Sequence, residues 1–434
     1  MADDRVGDFD ALVGRGEHRG EAAAAAGDRG GAAPPSPVLQ RSVEFLRTVT
    51  SLWWVRVIAI FAVSRVVTTG ILLAFAARQE VNPWTSAAPG YVDFARIWDG
   101  HWYYIIAVSG YPSELPLTDD GQVGESAWAF MPMYPLVVRI VMLFTGGSFA
   151  HAAVAVSVAF ALAGALMFYK LMRLQLPEGT AMFSVALWCF APLSPILQVA
   201  YAESMHAFFL IVALYLLVQR QYWQLIPVVA VMSLTRPSGL AFALAMALHV
   251  IYRWVVRKRE GFPLSDIVSS VTVGFFSAVM GFAWLLIAAA VTGSLTAYTD
   301  TELAWRAPYV GYGPLVPFQP WLQGATFWLG AGRGALVLVL VLAGFTAFMF
   351  TPAVRKLGVD VRLWVASYVL YLLAVFFPQS STFRLLFPIF PLWGAVAQPT
   401  SWIYRVAVVA ACIAAQWVWV DIAWWVDGSD WTPP

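Results

Sequence analysis

The chain has 434 residues, 60% of them hydrophobic and only 12% charged, with a mean hydropathy of +0.71. Ordinary soluble domains carry about 25% charged residues, so this composition excludes a soluble globular domain and predicts an all-α polytopic membrane protein. The net charge of +1 lends no support to nucleic-acid binding.

Residues 1–45 differ from the rest. Their "GRGEHRGEAAAAAGDRGGAAPPSP" is rich in Gly, Ala, Pro and charge and too poor in apolar side chains to offset its ordering entropy, which predicts a disordered tail. It lacks the apolar core and small-residue cleavage site of a secretory signal, so the first hydrophobic segment is expected to stay in the protein. From there residues 46–434 read as one transmembrane domain.

A spanning helix needs about 20 mainly apolar residues. In chain order, clear spans are expected at 52–77, 151–171, 181–199, 266–291, 325–350, 363–378 and 402–425. Less regular are 204–218, the long 223–254 broken by "TRPSG", and 385–398, which contains Pro388 and Pro391. Taking "TRPSG" as the turn of a two-helix hairpin gives about eleven spans. The cysteines, Cys189 and Cys412, both fall in apolar runs, where thiols behave as small hydrophobes.

Lysine and arginine mark cytoplasmic connections. They cluster at Lys170 and Arg173, at Arg253 to Arg259, and at Arg355, Lys356 and Arg362, with Arg220 and Arg405 at two further junctions. This places the N-terminal tail in the cytoplasm and the loops 78–150, 292–324 and 379–384 outside. The first loop then carries Glu80, Asp93, Asp99, Glu114, Asp119, Asp120 and Glu125 against Arg78, Arg96 and Arg139.

That loop runs to about seventy residues, whereas the median connection has about 4 to 6, and long loops are commonly functional. Within it "ARIWDGHWYYIIAVSGY" (95–111) spaces Trp98, Trp102 and Ile105 or Ile106 at helical intervals, as in a helix lying at the membrane surface. The stretch 128–144 is expected as a second interfacial or re-entrant helix. Asp99, between two tryptophans, is either a surface carboxylate or a desolvated one suited to general-base work.

Here the sequence resembles a family. "RIWDGHWYYIIAVSGY", "AFMPMYPLVVR", "SPILQVAYAESMHAFFLIVALYLL", "LTRPSGLAFAL" and "FRLLFPIFPLW" follow in the order seen in the GPI mannosyltransferase 2 (PIG-V-like) family and its bacterial relatives, over roughly residues 50 to 400. The resemblance implies a GT-C glycosyltransferase fold and a mannosyltransferase that uses polyprenyl-phosphate-mannose on the extracytoplasmic face. It also implies that Asp99 is the catalytic base. The alanine-rich tail points to a bacterial homologue, for which a lipoglycan or glycolipid acceptor of the cell envelope is expected. Gly100 and His101, and "FMP" at 130–132, depart from the eukaryotic pattern and bear on acceptor identity.

Candidate substrate contacts surround that base. His101 either orients Asp99 or is an ordinary interfacial histidine. Glu203, opening a span, either meets sugar hydroxyls or caps its own helix. Arg236, between two apolar half-spans, costs about 2.5 to 3.5 kcal/mol to insert, so it either pairs with a buried carboxylate or grips the lipid phosphate. Arg384 either joins it on the phosphate or snorkels to headgroups. Trp98 and Tyr134 complete the set. In the second outer loop Asp300 and Glu302 lie among aromatics that suit either sugar stacking or an interfacial belt.

No phosphate-cradling "GxxxxGK", no "HExxH" and no "CxxC" occurs, so no cofactor is expected. A divalent ion near Asp93, Asp119 or Asp120 is left open. The rival readings are a GT-C transferase of another polyprenyl-phosphate sugar, such as arabinose or glucose, and a lipid-linked sugar transporter or flippase. The latter has no need of a long structured loop holding one desolvated carboxylate.

Overall fold

The structure is a computed structural model that describes residues 52–427; the expected tail lies outside the described residues. Helices of eight or more residues are numbered in chain order. The first is α1 (Trp53–Ala76). The long loop that follows contains α2 (Asp99–Ser109) and α3 (Met133–Thr145). Then come α4 (Phe149–Arg173), α5 (Glu178–Phe190), α6 (Glu203–Val218), α7 (Tyr222–Ser233), α8 (Gly239–Glu260) and α9 (Leu264–Thr292). The remainder comprises α10 (Ala297–Val310), α11 (Gln319–Leu329), α12 (Ala331–Met349), α13 (Val359–Val375) and α14 (Trp402–Trp419). Among the described residues there is no strand, only an isolated bridge between Leu117 and Val123.

Six of the described helices are long and apolar enough to cross a membrane: α1, α4, α8, α9, α12 and the segment Trp402–Trp424. Their flanks leave large side chains such as Val66, Phe275 and Ile403 exposed, as lipid-facing surfaces do. Both cysteines are buried and unpaired.

Several expected spans are interrupted, for reasons visible in the chain. The segment 181–199 is helical only to Phe190 and then continues as a 3-10 turn, Ser194–Gln198. Pro192 and Pro195 remove donors and clash with the preceding turn. Broken backbone at membrane depth must be satisfied by protein, and buried Arg65 of α1 does this, donating to the Cys189 and Ser194 carbonyls at 2.8 and 2.9 Å. The segment 325–350 is divided at Gly330, whose φ of +80° turns α11 sharply into α12. The loop 292–324 also carries the helix α10, absent from the sequence reading.

The "TRPSG" break is present between α7 and α8. With 12 residues α7 rises about 18 Å, short of a hydrocarbon core of about 30 Å. Neighbours satisfy the broken backbone. Met133 at the start of α3 donates to the Leu234 carbonyl at 3.1 Å, and Ser277 of α9 donates to Gly239 at 2.8 Å. Gly239 and Gly281 let α8 and α9 touch at the backbone: a Cβ on Gly281 would meet the Leu240 nitrogen at 2.8 Å. Gly281→Ala is therefore expected to destabilise the protein by about 1 to 3 kcal/mol through overpacking. A lowered midpoint of thermal unfolding in detergent is the measurement.

Candidate active site

Asp99 begins α2, and the turn before it is strained. Trp98 has φ +58° and ψ −125°, an outlying conformation for a bulky residue and one that persists only when its surroundings hold it. They do. The Trp98 indole donates to the Trp424 carbonyl at 3.0 Å, the Trp424 indole donates to the Phe94 carbonyl at 3.1 Å, and Trp84 packs on Trp98 with ring centroids 4.6 Å apart. The Asp99 backbone N–H donates to the Tyr201 hydroxyl at 3.2 Å, and Ala200 donates to Ala95 at 2.8 Å. The carboxylate thus stands at a helix N-terminus, where negative charge is favoured.

Its partner is Arg384, in the short helix Thr382–Leu385, whose Nη1 contacts Asp99 Oδ2 directly. The same guanidinium lies 3.7 Å from Glu203 Oε1 and 5.3 Å above the Tyr201 ring. Glu203 Oε1 lies in turn 3.2 Å from Arg236 Nη1. Asp99, Arg384, Glu203 and Arg236 therefore form one chain of alternating charge. Their side chains are 12%, 10%, 4% and 16% exposed. Neither Glu203 oxygen makes a hydrogen bond, so its hold on the two arginines is Coulombic. Of the alternatives the sequence left open, Arg236 pairs with a buried carboxylate, and Arg384 points inward rather than to headgroups.

The remaining candidates stand apart from that chain. Tyr134 is fully buried, its hydroxyl bonded to the Ala153 carbonyl at 3.0 Å and to Ser157 at 2.9 Å, so it packs α3 against α4. Trp98 is 7% exposed and shapes the backbone before Asp99. His101 is exposed; partial desolvation and the nearby Arg96 lower its pKa, so its imidazole is neutral at neutral pH.

Two groups were not among the candidate site residues. Tyr201 braces the site twice: its hydroxyl accepts from the Asp99 N–H and its ring lies beneath the Arg384 guanidinium. Glu302 of α10 hydrogen-bonds to Tyr298 and lies in the fields of Arg306, Arg236 and Asp99; burial, reinforced by the Asp99 charge, pushes its carboxyl upward against the two arginines and the Tyr298 hydroxyl. Its sequence signal was a lone acid in an aromatic loop, indistinguishable from Asp300. Asp93 pairs with Arg96 at 3.2 Å, and among the described residues no three His, Cys, Asp or Glu gather as a metal site would require.

The chain is similar in structure to ArnT from Cupriavidus metallidurans bound to undecaprenyl phosphate, at 16% identity over 82% of this chain and 63% of that one, with a TM-score of 0.46. It is similar also to the apo oligosaccharyltransferase of Archaeoglobus fulgidus, at 12% identity over 84% and 55%, with a TM-score of 0.47. It spans less than two thirds of the length of either. No family model and no curated protein matches the chain.

Proposed function

We propose that this protein is an integral-membrane glycosyltransferase of the GT-C type that moves mannose from polyprenyl-phosphate-mannose to a hydroxyl of an extracytoplasmic glycolipid or lipoglycan. The observation that carries the reading is the run Asp99, Arg384, Glu203, Arg236, in which one carboxylate suited to proton abstraction stands against two guanidiniums suited to phosphate. It agrees with the order of motifs that the sequence shares with the mannosyltransferase family.

The chemistry then follows from the groups present. The acceptor hydroxyl gives its proton to Asp99 as its oxygen bonds to the anomeric carbon. The bond from that carbon to the phosphate oxygen breaks, and the polyprenyl phosphate leaves with one more negative charge, which Arg384 and Arg236 stabilise. Direct displacement inverts the anomeric configuration. At rest Arg384 is engaged by Asp99; an arriving phosphate competes for it and frees the carboxylate.

The orientation draws support from α4. Ser157, which donates to the Tyr201 carbonyl at 3.1 Å, lies 16 residues before Arg173, about 24 Å along the helix. Ser157 is eight residues from the other end, Phe149, so the charge chain lies beside the half of α4 that is farther from the basic connection, in keeping with an extracytoplasmic site.

Purified protein supplied with labelled polyprenyl-phosphate-mannose, and separately with the glucose and arabinose donors, plus a membrane lipid extract, tests the reading. Label passing to lipid from the mannose donor is expected. Transfer from another donor alone moves the assignment to that sugar, and lipid scrambling without transfer overturns it in favour of a transporter.

A further inference from the structure

Beside the charge chain, on the same helix, lies a cleft that the chemistry above does not use. Its volume is about 520 Å³, and its lining includes Trp102, Ile105 and Ser109 of α2, Tyr111, Glu114 and Glu125. The three α2 residues are spaced i, i+3 and i+7 and share a helix face. Asp99 stands three residues before Trp102, about 4.5 Å of rise along that face. The cleft therefore begins one turn from the carboxylate.

Its walls are held in place. The Trp102 indole stacks on Phe130 with centroids 5.7 Å apart and meets Trp305 of α10 edge-on at 5.9 Å. Tyr111 donates to the Phe130 carbonyl at 2.9 Å, Ser126 approaches Thr301 at 3.5 Å, and Tyr312 donates to Val123 at 3.1 Å. The loop that closes it turns at Gly121, φ +73°, across the bridge between Leu117 and Val123.

The charge of the lining selects its occupant. Glu114 and Glu125 are the charged residues lining it, and no lysine, arginine or histidine joins them. Desolvation in the cleft wall raises the Glu125 carboxyl. An acidic cleft repels phosphates, which the two arginines attract, and so divides the two lipids between two places. Carboxylates accept hydrogen bonds from neighbouring hydroxyls, and an indole offers a large, rigid, amphipathic surface to a sugar ring.

We propose that this cleft binds an uncharged glycan, the sugar headgroup of the acceptor, with Trp102 as its platform and Glu125 and Glu114 as its hydroxyl acceptors. The assignment to the acceptor rests on the transferase reading; the affinity for an uncharged glycan does not. Equilibrium binding of a tritiated neutral alkyl hexoside to the purified full chain tests the cleft itself, and Trp102→Ala and Glu125→Gln are each expected to weaken it about tenfold. Because Trp102 also packs on Phe130, the exposed Glu125→Gln keeps the test sound if Trp102→Ala misfolds. In the transfer assay the same variants are expected to raise the acceptor KM by a similar factor and leave the donor KM unmoved. Hexoside binding that both variants weaken, with no transfer from any donor, retains the cleft and removes the transferase reading. Transfer with an unchanged acceptor KM in Glu125→Gln retains the transferase and removes the cleft. Equal competition by anionic phosphatidylglycerol vesicles overturns the selectivity for an uncharged ligand.

Discussion

Replacing Asp99 by Asn is expected to lower sugar transfer by about 10²- to 10⁴-fold, the range spanned by loss of a general base. Asparagine has the same shape and keeps a carbonyl oxygen that can accept from Arg384, so the contact geometry survives. Lost are the charge and the ability to take a proton from the acceptor. The measurement is the initial rate at saturating polyprenyl-phosphate-mannose, with thermal unfolding recorded in parallel to confirm a folded protein. A donor KM near that of the unsubstituted protein, together with a collapsed rate, marks a group that acts in the transition state. A rate within about tenfold removes Asp99 from the role of base.

Glu203→Gln is expected to cost about 3 to 5 kcal/mol of stability, the usual consequence of removing one partner from a buried ion network. Glu203 sits between two guanidiniums, at 3.2 Å from Arg236 and 3.7 Å from Arg384, and its side chain is only 4% exposed. Without its charge the two cations face each other with Asp99 alone to balance them. Adding Arg236→Gln restores neutrality, so the double variant should be less destabilised than the sum of the single ones, which a double-mutant cycle reads directly. A loss below about 1 kcal/mol, or additive effects, contradicts the linked arrangement. The same substitution should impair donor binding, because both arginines lose the group that spaces them.

What the sequence made legible follows the cost of each residue in an apolar surrounding. Asp99, Glu203, Arg236 and Arg384 are expensive to bury, so each had to find a partner or a cavity, and the structure brings all four together. Aromatic residues carry no such penalty. Tyr134 and Trp98, read as substrate contacts, are engaged in packing and at a backbone turn, while Tyr201, which was not singled out, braces Asp99. The positive φ of Trp98 had no signal at all, since left-handed backbone is announced by glycine and not by an indole. The all-helical architecture was plain from composition. The interruptions at Pro192, Pro195 and Gly330 were written in the chain but outweighed by the hydropathy around them, and Glu302 could not be separated from Asp300 without knowing which face of α10 turns inward.

Asp99 and Arg384 are 285 positions apart, and Glu203 and Arg236 lie between them. A chain made from its N-terminus therefore holds two acidic groups long before their last cation exists. Contacts of such separation close late, after the entropy of the intervening loop has been lost. The linked arginine pair is thus a product of complete assembly: a chain cut between residues 350 and 384 retains five of the six long apolar helices yet holds an acidic pair that Arg236 alone must balance.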